Sequence, residues 1–419
     1  MRIFSTIKPY LKFRFFLFFF AFIAGWPCVF YLMGWLPHYT TNYVALFIVA
    51  GFYALSKRGI SLPKPIRDIF TIQIFCWIFY GLCYQDTSYF TRIVLLSTTY
   101  LLLAIQMRYR DKFELQKTYC FWVTFQVVAG TIGFLLVLLG VLHPFFEFAE
   151  MDGRPGYFFG LFTTNTYLGG LIRNAGFYDE PGALAFWGMN ALLMNKLFIG
   201  NKRIEQLLLL GLISTLSVAY FIQVAFYLYF FFGKRRKRML VLLVTGVIML
   251  KVLGSVDEAF IDASFGRLEY NEEKGTIEGD NRSALMERCW KIFLTSPVFG
   301  VGAENLATNV SKQEGFVGGN FFYNWAADGL VGVLCAYLPL ICLYRLGRGD
   351  KRIRGVVLIL VLGYLQRPYT DTQLLYPLVL SSILLGCYLK KNTRTVFLKD
   401  MTRLEHNENS KENNAKCSS

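Results

Sequence analysis

Residues Leu171–Trp187 read LIRNAGFYDEPGALAFW. Arg173, Asp179 and Glu180 stand among apolar and aromatic neighbours, and a Pro181-Gly182 pair precedes a hydrophobic run. Charge beside a membrane span is costly unless it has a partner or a task. The rest of the chain therefore reads as a scaffold holding this stretch against a second arginine-bearing loop.

Outward from that stretch, the 419 residues are 55% hydrophobic and 17% aromatic, with mean hydropathy +0.41. Apolar runs of span length, bounded by short basic clusters, exclude a soluble multidomain protein. The expected fold class is all-α: a polytopic integral membrane protein with about twelve transmembrane helices and two long outer loops. The spans fall near 15–36, 43–56, 69–85, 89–107, 118–142, 183–199, 205–216, 218–233, 239–254, 321–345, 355–367 and 372–389. Residues 1–389 form a single transmembrane domain, with outer loops at about 143–182 and 255–320, and 390–419 a polar, disordered cytoplasmic tail.

The net charge of +15 raises the question of nucleic acid. With a cytoplasmic N-terminus, 32 of the 43 Lys and Arg fall on inside segments, which is the positive-inside pattern and needs no nucleic acid. Both termini are then cytoplasmic. Between Lys202-Arg203 and the basic run 234–238, a single pass would put one cluster outside. Two short passes turning near TLSVAY (215–220) keep both inside. The nine cysteines form no CxxC or Cys/His cluster, so no disulfide framework, metal or cofactor is expected.

Within the first outer loop, GYFFGLFTTNTYLGGLI (156–172) reads as a re-entrant or amphipathic segment. In the second, ALMERCWKIFLTSPVFGVG (284–302) reads as an amphipathic helix lying over the bundle, with Leu285, Cys289 or Trp290, and Phe293 on one side. Arg92, one turn inside the fourth span, either snorkels outward or lines a polar cavity. Loop aromatics such as Tyr157, Phe321 and Trp325 either stack on sugars or belong to the interfacial belt. Arginine forks at headgroup level suit a lipid-linked diphosphate, binding its oxygens bidentately; the plainer reading is pairing with nearby carboxylates.

Arg173, Gly176, Tyr178, Glu180, Pro181 and Ala185 resemble the R-x-x-G-x-F/Y-x-E-P-x-x-x-A signature of bacterial O-antigen polymerases and O-antigen ligases. Arg282 stands fifteen residues before Pro297; the run from Ser296 to Gly302 is similar to that superfamily's S/H-P-x-x-G-x-G. The run from Asp328 to Gly332 looks like its E-x-G-x-x-G. The resemblance implies a GT-C-like fold and a metal-independent, inverting glycosyl transfer from undecaprenyl diphosphate at the outer face of a bacterial inner membrane. It implies Arg173 and Arg282 on the diphosphate, Glu180 orienting Arg173 or the acceptor hydroxyl, and Asp328 or Glu180 as base. Arg154, Asn174, Tyr178, Arg288, Asn320 and Arg92 are the candidate substrate-binding residues. Asp179 serves equally as a cap for the following helix.

The expected function is joining of lipid-linked repeats into O-antigen or a related surface polysaccharide, with membrane lipids and a chain-length regulator as partners. Ligases of the superfamily carry a His-Asn pair before the tenth span; here Asn320 matches the Asn, but the histidines are His38, His143 and His406. That turns the reading from ligation to lipid A-core toward polymerisation. A flippase for the same glycan is the third reading, and it would place charges deep in the spans.

Overall fold

The computed structural model describes residues 38–55, 62–107, 111–149, 155–164, 172–178, 180–232, 270–271, 276–277, 283–315, 317, 320–367 and 374–392. The expected spans 15–36 and 239–254, the tail beyond residue 392, and Arg154, Asp179 and Arg282 lie outside these residues.

The helices are α1 (His38–Leu55), α2 (Lys64–Tyr84), α3 (Thr87–Gln106), α4 (Glu114–Leu138) and α5 (Pro181–Met194), which runs on through a π turn, Asn195–Ile199. After them come α6 (Lys202–Gly211), α7 (Val218–Phe231), α8 (Ser283–Thr295), α9 (Tyr323–Ala336), α10 (Leu338–Leu346), α11 (Lys351–Gln366) and α12 (375–392). Every expected span within the described residues coincides with one of these helices or an adjoining pair. Among the described residues, five segments are long and apolar enough to cross a membrane: α2, α3, α4, Pro181–Ile199 and Tyr323–Leu346.

Local chemistry starts several of them. Asp86 Oδ1 accepts from the Ser88 amide at 2.7 Å, Asn201 Oδ1 from Arg203 at 2.9 Å, and Asp350 Oδ1 from Arg352 at 2.8 Å. Each satisfies an amide that the first helical turn leaves open. Glu180 occupies the N-cap position of α5 and Pro181 its first turn, where the missing amide costs nothing. Helix α5 is apolar apart from Asn190 and buried throughout apart from Gly182, and it packs on α4, α6 and α7.

The chain reverses between α6 and α7. A 3-10 turn, Leu212–Thr215, ends at Leu216 in the left-handed conformation (φ 48°), and α7 starts at Val218, within the segment read as a turn. Tyr220 donates to the Leu209 carbonyl and Tyr227 to Glu205. A straight helix would separate residues 22 apart by about 33 Å, so these bonds require an antiparallel hairpin. Lys196 pairs with Glu205 at 2.7 Å and lies 4.5 Å from the Phe232 ring, bringing the open ends of the hairpin together.

The described residues also contain strand, which the all-α expectation omits. Antiparallel β1 (Phe146–Ala149), β2 (Pro155–Phe158) and β3 (Thr163–Thr164) form a small sheet where a re-entrant or amphipathic segment was expected. Phe159 and Phe162 stack with centroids 5.0 Å apart and pack with Phe134 and Val137 of α4, so aromatic burial against a helix holds the sheet. Tyr270–Asn271 and Thr276–Ile277 pair as a second antiparallel ladder.

The bundle has two chemically distinct ends. At one, Lys390 lies 5.7 Å from the Phe198 ring, Lys391 donates to the Leu346 carbonyl at 3.3 Å, and Lys196, Lys202 and Arg203 sit by the hairpin's open end. At the other, Tyr84 donates to the Gly300 carbonyl at 2.9 Å, Asp86 Oδ2 accepts from the Glu304 amide at 2.8 Å, and Glu180 meets Arg367. The sheet and α8 belong to this second, loop-bearing end.

Candidate functional site

Residues 172–178, the core of the opening stretch, are threaded into the bundle. Asn174 donates its amide to the Ser214 carbonyl at 3.0 Å and its Nδ2 to Ser214 Oγ at 3.0 Å, at the tip of the α6–α7 hairpin. Its Oδ1 accepts from Gly176 at 2.8 Å. Gly130 of α4 makes room, since a β-carbon there would lie 2.2 Å from Asn174 Oδ1. Thr163 of β3 donates its amide to the Gly176 carbonyl at 2.7 Å and accepts from the Ala175 amide at 3.0 Å, and the Phe177 amide donates to Gln126 Oε1 at 3.3 Å. A hairpin tip within an apolar bundle has open backbone groups, and this loop helps satisfy them.

That placement turns two of the expected substrate-binding residues inward. Asn174 is 0% exposed and Tyr178 is 2% exposed. Both are held within the loop by protein partners. Arg173 remains half-buried, its amide 3.4 Å from Thr164 Oγ1.

Glu180, at the head of α5, pairs with Arg367, which follows α11. Their side chains are 26% and 12% exposed. Gly182 lets the guanidinium lie across the first turn of α5, because a β-carbon there would be 2.8 Å from Arg367 Nη2. Arg367 is a site residue that the motifs did not select. Its signal in the sequence is a charge in QRPYTD, at the end of an apolar run.

Asp328 and Arg92, assigned separately from sequence, are partners. Arg92 Nη1 lies 2.8 Å from Asp328 Oδ2, with side chains 2% and 1% exposed. Tyr89 donates to Asp328 Oδ1 at 2.9 Å. The Arg92 guanidinium lies 4.5 Å from the Trp77 ring centroid and 4.7 Å from that of Tyr89. Arg92 therefore neither snorkels nor lines an open cavity: the aromatic faces and a full countercharge hold it in the interior. Both carboxylate oxygens of Asp328 are thus engaged by protein partners and out of solvent.

Helix α8 packs on α9 and buries Cys289, Ile292 and Phe293, while Trp290 is 40% exposed. Of the two alternatives, Cys289 faces the bundle. Burial pushes its thiol above the ordinary range, against the opposing hydrogen bond from Asn320. Asn320, expected to bind substrate, is 1% exposed. Its Nδ2 donates to Cys289 Sγ at 3.1 Å and Val317 O at 3.0 Å, and its Oδ1 accepts from the Phe322 amide at 2.9 Å. It is a brace between α8 and α9. Arg288 stays exposed on α8, and a β-carbon on Gly315 would lie 2.8 Å from its Nη1. Among the described residues no group of three His, Cys, Asp or Glu is arranged to hold a metal ion.

No protein-family model matches the chain, and no curated protein matches it either.

Proposed function

We propose that this protein is a polymerase joining undecaprenyl-diphosphate-linked oligosaccharide repeats at the outer face of a bacterial inner membrane. The observation that carries the reading is the Glu180–Arg367 pair, partly open beside the Arg173 loop at the end of the bundle opposite the lysine-rich one. By the charge rule the lysine-rich end is cytoplasmic, so the loop end meets lipid-linked glycan arriving outside.

In this mechanism the acceptor sugar hydroxyl attacks the anomeric carbon of the donor. The new C–O bond forms as the bond to the diphosphate breaks, and the electron pair leaves on the diphosphate. Arg173, Arg282 and Arg367 take the developing charge in their bidentate forks. As the diphosphate draws Arg367 away, the Glu180 carboxylate is released to accept the hydroxyl proton. Each cycle lengthens one glycan and frees one undecaprenyl diphosphate.

A transporter for the same glycan is the second reading, favoured by the charged pair inside α3 and α9. Its enclosure by Trp77, Tyr80 and Tyr89 argues against a path past it. The purified protein in liposomes, supplied with lipid-linked repeats on its loop side, is expected to yield a ladder of whole-repeat products. Movement of unlengthened substrate between leaflets, with no ladder, would replace polymerisation by transport.

A further inference from the structure

Helix α9 is interrupted at Gly329 (φ 61°, ψ −170°), inside one of the five apolar segments. An interruption there opens backbone groups that lipid cannot satisfy. Residues 297–302 take them up. Val301 and Gly302 donate to the Ala326 and Ala327 carbonyls at 2.9 Å each. Leu330 and Val331 donate to the Pro297 and Val298 carbonyls at 2.9 and 3.1 Å. Tyr80 donates to the Asp328 carbonyl at 2.5 Å.

One carboxylate ties this joint to α3. Asp328 accepts from Arg92 and Tyr89, and the Tyr89 hydroxyl in turn accepts from the Ala303 amide at 3.1 Å. One residue further on, the Glu304 amide donates to Asp86, the residue that caps α3. Helix α8 leads directly into this clamped segment. A buried ion pair is weak evidence for net stability, because desolvation offsets its attraction; its better-attested use is to specify one arrangement over others.

We infer that Asp328 is a positioning residue, whose ion pair with Arg92 locks the break in α9 onto α3 and so fixes the 297–304 segment and helix α8 over the loop end. The pair acts through the backbone it holds, at a distance from the reacting atoms. Arg288 rides on α8, and the sequence places Arg282 one residue ahead of it.

The test uses the full chain in liposomes, with its other accessible cysteines replaced by serine and spin labels at Leu294→Cys on α8 and Phe121→Cys on α4, both exposed positions. The parent is expected to give one narrow label distance. Asp328→Asn and Arg92→Gln should each broaden or shift it and lower chain extension by roughly 100-fold, the scale of a small misplacement of reacting groups. The double variant Arg92→Gln/Asp328→Asn strands no charge and keeps a hydrogen-bonding pair. It should restore the narrow distance and roughly tenfold or more of the lost rate, the scale of a directly coupled pair. A double variant as inactive as Asp328→Asn, with the parent distance, would make Asp328 a base and overturn the inference.

Single variants with the parent distance overturn it whatever their activity. Where Asp328→Asn does not fold, Tyr89→Phe removes the bonds to Asp328 and Ala303 without stranding a charge. It should broaden the distance more mildly, and an unchanged distance there also overturns the inference. The kinetic arm rests on the proposed chain extension, whereas the distance arm does not. A parent protein that extends no chains therefore condemns only that reaction.

Discussion

Gly300 and Gly329 lie back to back with no room for a side chain between them: a β-carbon on Gly329 would sit 2.4 Å from the Gly300 amide nitrogen. One on Gly300 would sit 2.3 Å from the Ala327 carbonyl oxygen. Both residues have positive φ, 74° and 61°. The glycines of the S-P-x-x-G-x-G run and of the D-G-x-x-G run are therefore two halves of one joint.

Gly329→Ala is expected to destabilise the protein by about 2–6 kcal/mol, combining backbone strain with overpacking. Thermal unfolding in detergent measures it. Gly51→Ala is the control, since nothing lies within 4 Å of a β-carbon there and a helical Ala should be neutral or slightly stabilising. Equal melting temperatures for the two variants would discredit the joint.

Glu180→Gln and Arg367→Gln should each lower chain extension on the order of 10²–10³-fold, the scale of losing a group that meets transition-state charge or the transferred proton. Because the pair is largely shielded, each variant should also lower stability by about 1–3 kcal/mol. Product ladders resolved by electrophoresis give the answer. Full-length ladders from both variants would remove the pair from the mechanism.

Asn174→Ala should cost about 1–3 kcal/mol, because the Gly176 amide and Ser214 hydroxyl lose a buried partner. Unfolding midpoints and substrate KM, measured together, separate a brace from a ligand. A raised KM with an unchanged midpoint would return Asn174 to the binding site.

Lys202→Cys and Lys390→Cys should react with a membrane-impermeant maleimide from one side of the bilayer, and Lys312→Cys from the other. All three positions are exposed. Labelling of residues 202 and 312 from the same side would contradict both the α6–α7 hairpin and the charge-rule orientation.

Helix positions and the reversal near residue 216 were legible in the amino-acid string. Apolar length and basic clusters that must share one side are local or additive signals. The small sheet was not, because a Gly- and aromatic-rich run of high apolar content masks its two-residue alternation, and burial against α4 is what selects strand.

The polar pairings separate what the chain declares from what folding chooses. Arg92 and Asp328 stand 236 residues apart, and Glu180 and Arg367 stand 187 apart. Each charge was visible as an anomaly in an apolar context. No periodicity or spacing links such distant residues, so their partners emerge only when packed helices close the intervening chain. The opening stretch shows both halves. Its residue types announce a charged loop before a buried helix. Only packing pairs Glu180 with Arg367 and turns Asn174 inward as a brace, because an interior that excludes water requires each polar group to find its partner within the protein.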